Sequence, residues 1–155
     1  MKKALILVAC IAVPLLLGAW ASIPTMANIP TWYNSLNKPS FNPPNWLFGP
    51  VWTLLYILMG ISFFLIIISP GTNDKKGAIR ITIIQMILNT TWSFLFFEYH
   101  LMGLALADIL LLWTCIIGMI FAYYPIKKSA AFLQVPYLFW VSFATVLNAS
   151  YCYLN

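Results

Sequence analysis

The chain has 155 residues, of which 63% are hydrophobic and only 7% are charged, and its net charge is +5. Soluble domains carry about 25% charged residues, so this chain has too few to cover a water-facing surface, and its mean hydropathy of +0.90 indicates lipid as its solvent. The eight basic residues are scattered between apolar runs, which is typical of topology signals and excludes a nucleic-acid-binding patch.

The first apolar run begins after Lys2 and Lys3 and continues from Ala4 to Ala21. A basic start, an apolar core and the small residues around Trp20 also resemble a secretory signal with its cleavage site. The run is longer than a usual signal core and close to the ~20 residues that span a membrane. We therefore predict an uncleaved membrane helix at about 4–24, with a signal peptide as the alternative.

The next segment, 25–45, is predicted to be a long structured loop. It contains Pro39, Pro43 and Pro44 together with Trp32. Proline fixes φ and lacks an N–H donor, which argues against a regular helix here. Aromatic rings at this density favour covering a surface. The sequence therefore predicts a stiff lid that lies over the protein and leads into a helix near Trp46.

Four further apolar runs are predicted to be membrane helices, because turn-forming or charged residues such as Pro70-Gly71 and Lys127-Lys128 separate them. Their expected bounds are about 46–69, 79–97, 101–124 and 130–153. Together with the first helix they predict one all-α transmembrane domain, 1–155, a bundle of five helices in which successive helices are antiparallel neighbours. Seven of the basic residues fall on one side and only Lys38 on the other, which predicts a cytoplasmic N-terminus and an outward-facing lid loop and C-terminus.

Three of the predicted helices carry a stripe that mixes aromatic and amide side chains at helical spacing. Polar side chains in a membrane helix usually face the bundle interior. Two interpretations remain open: hydrogen-bonded packing between helices, or a cavity for a planar, mostly apolar ligand. The stripes are Phe48, Trp52 and Tyr56; Gln85, Asn89, Trp92 and Phe96; and Trp140, Phe143, Ala144, Leu147, Asn148 and Tyr151.

Three segments, in the right order, resemble the tryptophan-rich sensory protein / translocator protein (TspO) family, once called peripheral benzodiazepine receptors. The first carries Trp32, Tyr33, Leu36, Lys38, Pro39, Pro43, Pro44, Phe48, Pro50, Trp52, Leu55 and Tyr56. The second carries Gln85, Leu88, Asn89, Trp92, Ser93, Phe96 and Phe97. The third carries Pro136, Tyr137, Trp140, Phe143, Ala144, Leu147 and Asn148.

The resemblance implies a ligand pocket near the outward end, under the first loop. Members of that family bind porphyrins such as protoporphyrin IX, benzodiazepine-site ligands and, in animals, cholesterol, and some bacterial members are reported to promote light- and oxygen-dependent porphyrin breakdown. By position, Trp52 and Trp140 would carry that breakdown. The implied ligand-binding residues are Tyr33, Pro43, Trp52, Asn89, Trp92, Trp140, Phe143, Ala144 and Asn148.

Other features of the sequence limit the functions and partners that we expect. No cofactor and no metal site are predicted, since the single His100 has no His or Cys nearby, and no hydrolytic arrangement is visible. The family's cholesterol motif needs a basic residue after Tyr151, and none follows, so sterol transport is not supported. The expected partners are a porphyrin or other planar ligand and membrane lipid. The small residues Gly103 and Ala107 would also permit a homodimer.

The expected location is the plasma membrane. Two alternatives to a porphyrin receptor remain open. The first is a transporter or lipid-handling protein for amphipathic metabolites, in which the buried acid Asp108 serves a gated path. The second is an assembly subunit whose stripes serve only packing.

Overall fold

The computed structural model describes residues 1–70 and 75–155, which form helices and contain no strand. Five of these helices are long and apolar enough to cross a membrane, which confirms the predicted all-α architecture. They are α1 Lys2–Tyr33, α2 Asn45–Ile68, α3 Lys75–Glu98, α4 Met102–Tyr123 and α5 Lys128–Leu154. We call the end of the bundle that holds the α1–α2 connection and the C-terminus the loop end, and the opposite end the basic end.

Helices α1 and α2 pack closely, as do α3 with α4 and α4 with α5. Gly60 permits a close backbone approach between α1 and α2. A Cβ atom there would lie 2.6 Å from the Cys10 carbonyl oxygen and from Ile11 Cα, a distance that real Cβ atoms do not adopt. The absence of a side chain at this position thus fixes where the two helices cross.

The first loop is shorter than predicted. Helix α1 does not end near residue 24 but continues to Tyr33, its last turn widening to a π-helix at Ile29–Tyr33. Only about residues 36–44 are non-helical, so the prediction of a loop over 25–45 was wrong for its first part. Proline is tolerated in a membrane helix when nearby side chains and local π turns satisfy the freed backbone groups. Here α1 widens to a π turn around Pro30, and just before it the Asn28 side-chain amide donates to the carbonyl of Pro24 at 3.0 Å.

Two other helices depart from the predicted bounds. Helix α3 begins at Lys75, four residues before the predicted start at 79, and ends in a π turn at Phe94–Glu98. A polar turn was expected over 72–80; its residues from Lys75 on are helical, and 71–74 lie outside the described residues. Helix α5 is interrupted after its first turn, Lys128–Phe132, and resumes at Val135–Leu154. The interruption precedes Pro136, which has no N–H to donate to the preceding turn.

A lysine caps the basic end of α2. The Lys75 ammonium group donates to the carbonyl oxygens of Ile67 and Ser69 at 2.6 and 3.0 Å. The last carbonyls of a helix lack partners within the helix, and a cation there also complements the helix dipole. This contact ties the start of α3 to the end of α2 at the basic end of the bundle.

Candidate functional site

A cavity of about 570 Å³ lies in the half of the bundle nearest the loop end. Helices α1, α2, α3 and α5 form its wall, and none of the described residues that line it is charged. Cavities of this size and character are typical of sites for small, mostly apolar molecules. Its aromatic lining consists of Tyr33, Trp46, Phe48, Trp52, Tyr56, Trp92, Phe96, Phe97, Trp140 and Tyr151.

Seven of the nine residues suggested as ligand-binding line this cavity: Tyr33, Trp52, Asn89, Trp92, Trp140, Ala144 and Asn148. The other two lie beside it. The carbonyl of Pro43 accepts a hydrogen bond from the Asn42 side chain at 3.2 Å, and Phe143 packs against Phe41 and Trp140. The stripes on three helices therefore converge on one space rather than only joining neighbouring helices.

A chain of hydrogen bonds forms the floor of the cavity. The Tyr56 hydroxyl donates to Asn89 Oδ1 at 2.7 Å, and Asn89 Nδ2 donates to the Tyr137 hydroxyl at 2.9 Å. Tyr137 in turn donates to Gln85 Oε1 at 3.1 Å, and Gln85 Nε2 contacts Met59 Sδ at 3.1 Å. Because Asn89 uses both ends of its amide, its orientation is fixed by residues on α2 and α5.

A second amide fixes the side wall. The Trp92 indole donates to Asn148 Oδ1 at 3.0 Å, and Asn148 Nδ2 donates to the Met102 carbonyl at 3.0 Å. Trp92 also stacks on Phe96, with ring centroids 5.4 Å apart. The indole plane of Trp92 is therefore held by α3, α4 and α5 together.

The loop end of the cavity is covered by the α1–α2 connection. The hydroxyls of Tyr33 and Tyr151 both bond to Asn42 Oδ1, at 2.8 and 2.9 Å, and their oxygens lie 2.8 Å apart. Farther along, the Asn37 backbone N–H donates to Asn155 Oδ1 at 2.9 Å, and Asn155 Nδ2 donates to the Asn37 carbonyl at 3.2 Å. These two clusters hold the connection against α1 and α5.

The cation of the connection lies beside the Tyr33–Asn42–Tyr151 cluster. The Lys38 ammonium group donates to Asn34 Oδ1 at 2.9 Å and lies 4.8 Å from the centroid of the Tyr33 ring. Since Tyr33 also lines the cavity, a positive charge is present just outside the covered end of a neutral space.

Trp52 and Trp140 lie on different helices and both line the cavity. Trp52 stacks on Tyr56 at 5.6 Å, while Trp140 packs edge-on against Phe48 at 6.2 Å. Trp140 Nε1 is buried and has no hydrogen-bond partner within the described part of the chain. Two electron-rich indoles therefore border the same apolar space.

Residues 10–154 match the TspO/MBR family. The chain belongs to this family. It is 40% identical to the tryptophan-rich protein TspO of Chlorobaculum tepidum, over 99% of this chain and 98% of that protein, and 41% identical to the protein of the same name from Archaeoglobus fulgidus, over 96% of both. It is 39% identical to the human translocator protein, over 78% of this chain and 72% of that protein.

Membership of the TspO/MBR family confirms the resemblance read from the three sequence segments. Together with the five candidate spans, it establishes an integral membrane protein. It also supports a role as a membrane receptor or sensor. Further detail on ligand and chemistry rests on the site itself.

The α1 wall of this TspO/MBR site was not predicted from the sequence. Eight α1 residues besides Tyr33 line the cavity: Leu15, Gly18, Ala19, Ala21, Ser22, Thr25, Met26 and Ile29. The helix is apolar on all sides, so no face stood out by its polarity. The available signal was the small residues Gly18, Ala19, Ala21 and Ser22, which flank Trp20. A Cβ atom at Gly18 would overlap the Tyr56 ring, which explains the need for glycine there.

Two other residues singled out in the sequence of this TspO/MBR protein lie away from the cavity. Asp108 on α4 is only 8% exposed, and its Oδ2 has no hydrogen-bond partner among the residues described. His100 is exposed in the turn before α4, with a φ of 57°. Its ring stacks on Trp32 with centroids 4.0 Å apart, and its Nε2 lies 3.2 Å from Asn28 Oδ1. His100 therefore pins the end of α1 to the α3–α4 turn.

Proposed function

We propose that this protein is a membrane receptor or sensor that binds porphyrins, such as protoporphyrin IX, and ligands of the benzodiazepine-site type. The observation that carries the proposal is the aromatic cavity, whose wall offers flat indole and phenol faces and no charge. Aromatic stacking and apolar burial would supply most of the affinity for a planar ring. Family membership supports the same ligand class.

The neutral wall constrains how a porphyrin would lie. An ionised carboxylate inside such a cavity would carry a large desolvation cost without a paired cation. We therefore propose that the propionates remain outside, at the loop end, where Lys38 supplies the nearest positive charge in the described part of the α1–α2 connection. The macrocycle would then extend inward between Trp52, Trp92 and Trp140.

We further propose that Trp52 and Trp140 assist light- and oxygen-dependent porphyrin breakdown. An excited porphyrin and molecular oxygen supply the reactive species themselves, so the protein's contribution is binding and orientation. Indole rings beside the macrocycle would act as electron donors or as oxidisable quenchers. No separate cofactor enters this scheme.

The proposed setting is the plasma membrane, with the basic end in the cytoplasm and the loop end outward, following the excess of basic residues at one end. A homodimer remains a prediction. Gly103 and Ala107 are exposed on the surface of α4, where they would permit close helix contact.

Titration of the detergent-solubilised protein with protoporphyrin IX, followed by tryptophan quenching, tests the binding proposal. We expect the paired change Trp52→Phe and Trp140→Phe to weaken binding by about tenfold or more, equivalent to ~1.4 kcal/mol. Trp20→Phe is the matched control, since Trp20 is exposed on α1 and is not part of the cavity wall. Unchanged affinity in the paired variant would overturn the site. Loss of porphyrin absorbance under light, with and without oxygen, tests the breakdown.

The alternative, a transporter for amphipathic metabolites, would need a path that continues past the floor of the cavity. The hydrogen bonds from Tyr56 through Asn89 and Tyr137 to Gln85 cross that path, which supports the receptor function. Substrate flux in proteoliposomes that is lost in Asp108→Ala would instead favour the transporter.

A further inference from the structure

Two glycines permit close contacts between α1 and α2 on the basic-end side of the cavity. Gly60 admits the α1 backbone near Cys10, and Gly18 admits the ring of Tyr56. Gly18 is the last of these close approaches along α1 towards the loop end. From Gly18 towards the loop end, both helices contribute residues to the cavity wall.

Beyond Gly18, several residues line the cavity and are also exposed on the surface of the bundle. They are Ala19 and Met26 on α1, and Trp46, Gly49 and Thr53 on α2. Apart from its two chain neighbours and the nearby backbone of its own helix, no atom of the described residues lies within 4 Å of a Cβ atom built on Gly49. A residue that borders both a cavity and the outside marks an opening, so the cavity opens sideways between α1 and α2. We call this opening the α1–α2 portal.

The portal faces the bilayer rather than the aqueous phase, since its residues lie within the candidate spans Lys2–Tyr33 and Asn45–Ile68. Trp46, 72% exposed at the loop-end margin of the portal, is the kind of side chain that anchors at a membrane–water interface. The portal therefore lies just below the headgroup level of the leaflet at the loop end.

Hydrogen bonds close the other route into the cavity, which leads from the aqueous phase under the α1–α2 connection. Along the α1–α2 connection, the hydroxyls of Tyr33 and Tyr151 are bonded to Asn42, and the Asn37 backbone is bonded to Asn155. A ligand that enters under the connection must break these contacts. Among the described residues, Ala19 and Gly49 carry no side-chain polar group, so a ligand that slides between α1 and α2 breaks no side-chain hydrogen bond of theirs.

We propose that the ligand enters and leaves the cavity sideways, from the bilayer, through the α1–α2 portal. This inference rests on the proposed function and narrows it to planar molecules that dissolve in the membrane. An amphipathic member of this class would keep its charged edge at the headgroups while its ring passes the small side chains of Ala19 and Gly49.

The test uses the full chain in lipid vesicles, with protoporphyrin IX as the probe and stopped-flow tryptophan quenching as the measurement. Gly49→Phe and Ala19→Phe each place a ring in the portal from opposite sides. We expect the association and dissociation rate constants both to fall by about tenfold, which corresponds to ~1.4 kcal/mol on the barrier. Gly103→Phe is the matched control, because Gly103 is also exposed near the loop end and has open space around it but lies on α4.

A further variant, Asn155→Ala, separates the two routes. Passage through the portal predicts unchanged rates in Asn155→Ala. Faster rates in Asn155→Ala together with unaltered rates in Gly49→Phe would show passage under the connection and would overturn the portal. If the wild-type protein binds the porphyrin but neither phenylalanine variant slows it, only the portal fails. Absence of binding by the wild-type protein would overturn the proposed function and the portal with it.

Discussion

The substitution Asn89→Leu tests whether the floor of the cavity is held by its hydrogen bonds. Leucine is close to asparagine in shape but can neither donate nor accept. The change removes the bond from Tyr56 to Asn89 and the bond from Asn89 to Tyr137. Tyr137 keeps its bond to Gln85, so Tyr56 is the hydroxyl that loses its one hydrogen-bond partner within the described part of the chain.

The magnitude follows from these losses. Side-chain hydrogen bonds between membrane helices average about 0.6 kcal/mol each, so two of them give a lower bound of ~1.2 kcal/mol. Leaving a buried donor without a partner adds about 1–3 kcal/mol, and Tyr56 is half-buried beside the cavity, where water can partly replace Asn89. We therefore expect Asn89→Leu to lower the free energy of unfolding by ~1–4 kcal/mol.

The assay is reversible unfolding in mixed detergent micelles, with Thr91→Val as the control. Thr91 lies on the same helix, and its hydroxyl bonds only to the Ile87 carbonyl of its own helix. A double-mutant cycle of Asn89→Leu with Tyr56→Phe should give a coupling energy of about 0.6 kcal/mol and at most ~1.7 kcal/mol. A coupling of zero, with Asn89→Leu no more destabilising than Thr91→Val, would refute the idea that this chain of bonds holds the floor.

Three further predictions concern the wall, the connection and the helix crossing. Ala144→Phe should weaken protoporphyrin IX binding about tenfold or more, because the ring would occupy cavity volume, while Ala149→Phe on the exposed side of the same helix should leave the titration unaltered. Asn155→Ala should lower the free energy of unfolding by at most about 1 kcal/mol. It should nevertheless speed hydrogen exchange at the Asn37 backbone amide, because it removes the bond from that amide to Asn155. An exchange rate equal to that of the wild-type protein would contradict that contact. Gly60→Ala should destabilise the protein by ~1–3 kcal/mol, because the new methyl group meets the α1 backbone. Thermal unfolding measures this change, and unchanged stability would show that the helix crossing can relax.

Much of the cavity could be predicted from helical spacing and the resemblance together. Amides such as Asn89 and Asn148 stand out against an apolar helix, because in lipid they must find partners. Helical spacing could not predict which residues of a stripe face the cavity and which are buried beside it. Gln85 belongs to the same stripe as Asn89 but is fully buried under the floor, bonded to Tyr137 and Met59, since three-dimensional convergence of the helices decides which members of a stripe meet the open space.

The extent of α1 shows where local rules failed. Proline rules derived from soluble helices predicted a loop after residue 24, but this membrane helix continues through Pro24 and Pro30 and widens to a π turn at Ile29–Tyr33. The error mattered for the site, because the extra turns of α1 carry Thr25, Met26 and Ile29, all of which line the cavity. A helix without a polar face gives no periodic signal, so its contribution appears only when its neighbours are in place.

The pattern of satisfied polar groups also determines how the cavity can discriminate between ligands. Asn89 and Asn148 use both ends of their amides within the protein, and the hydroxyls of Thr25 and Thr53 bond to carbonyls of their own helices. A ligand therefore meets engaged groups at these four side chains, and a new hydrogen bond to any of them must displace an existing one. The Trp140 indole N–H, which has no partner among the described residues, is an exception. Selection then rests on planarity, size and aromatic contact rather than on a matched set of donors and acceptors. A cavity built in this way tolerates chemically different flat molecules, because a hydrophobic wall rejects a wrong substituent only weakly, whereas a wrong shape is rejected by the rigid indoles held from three helices.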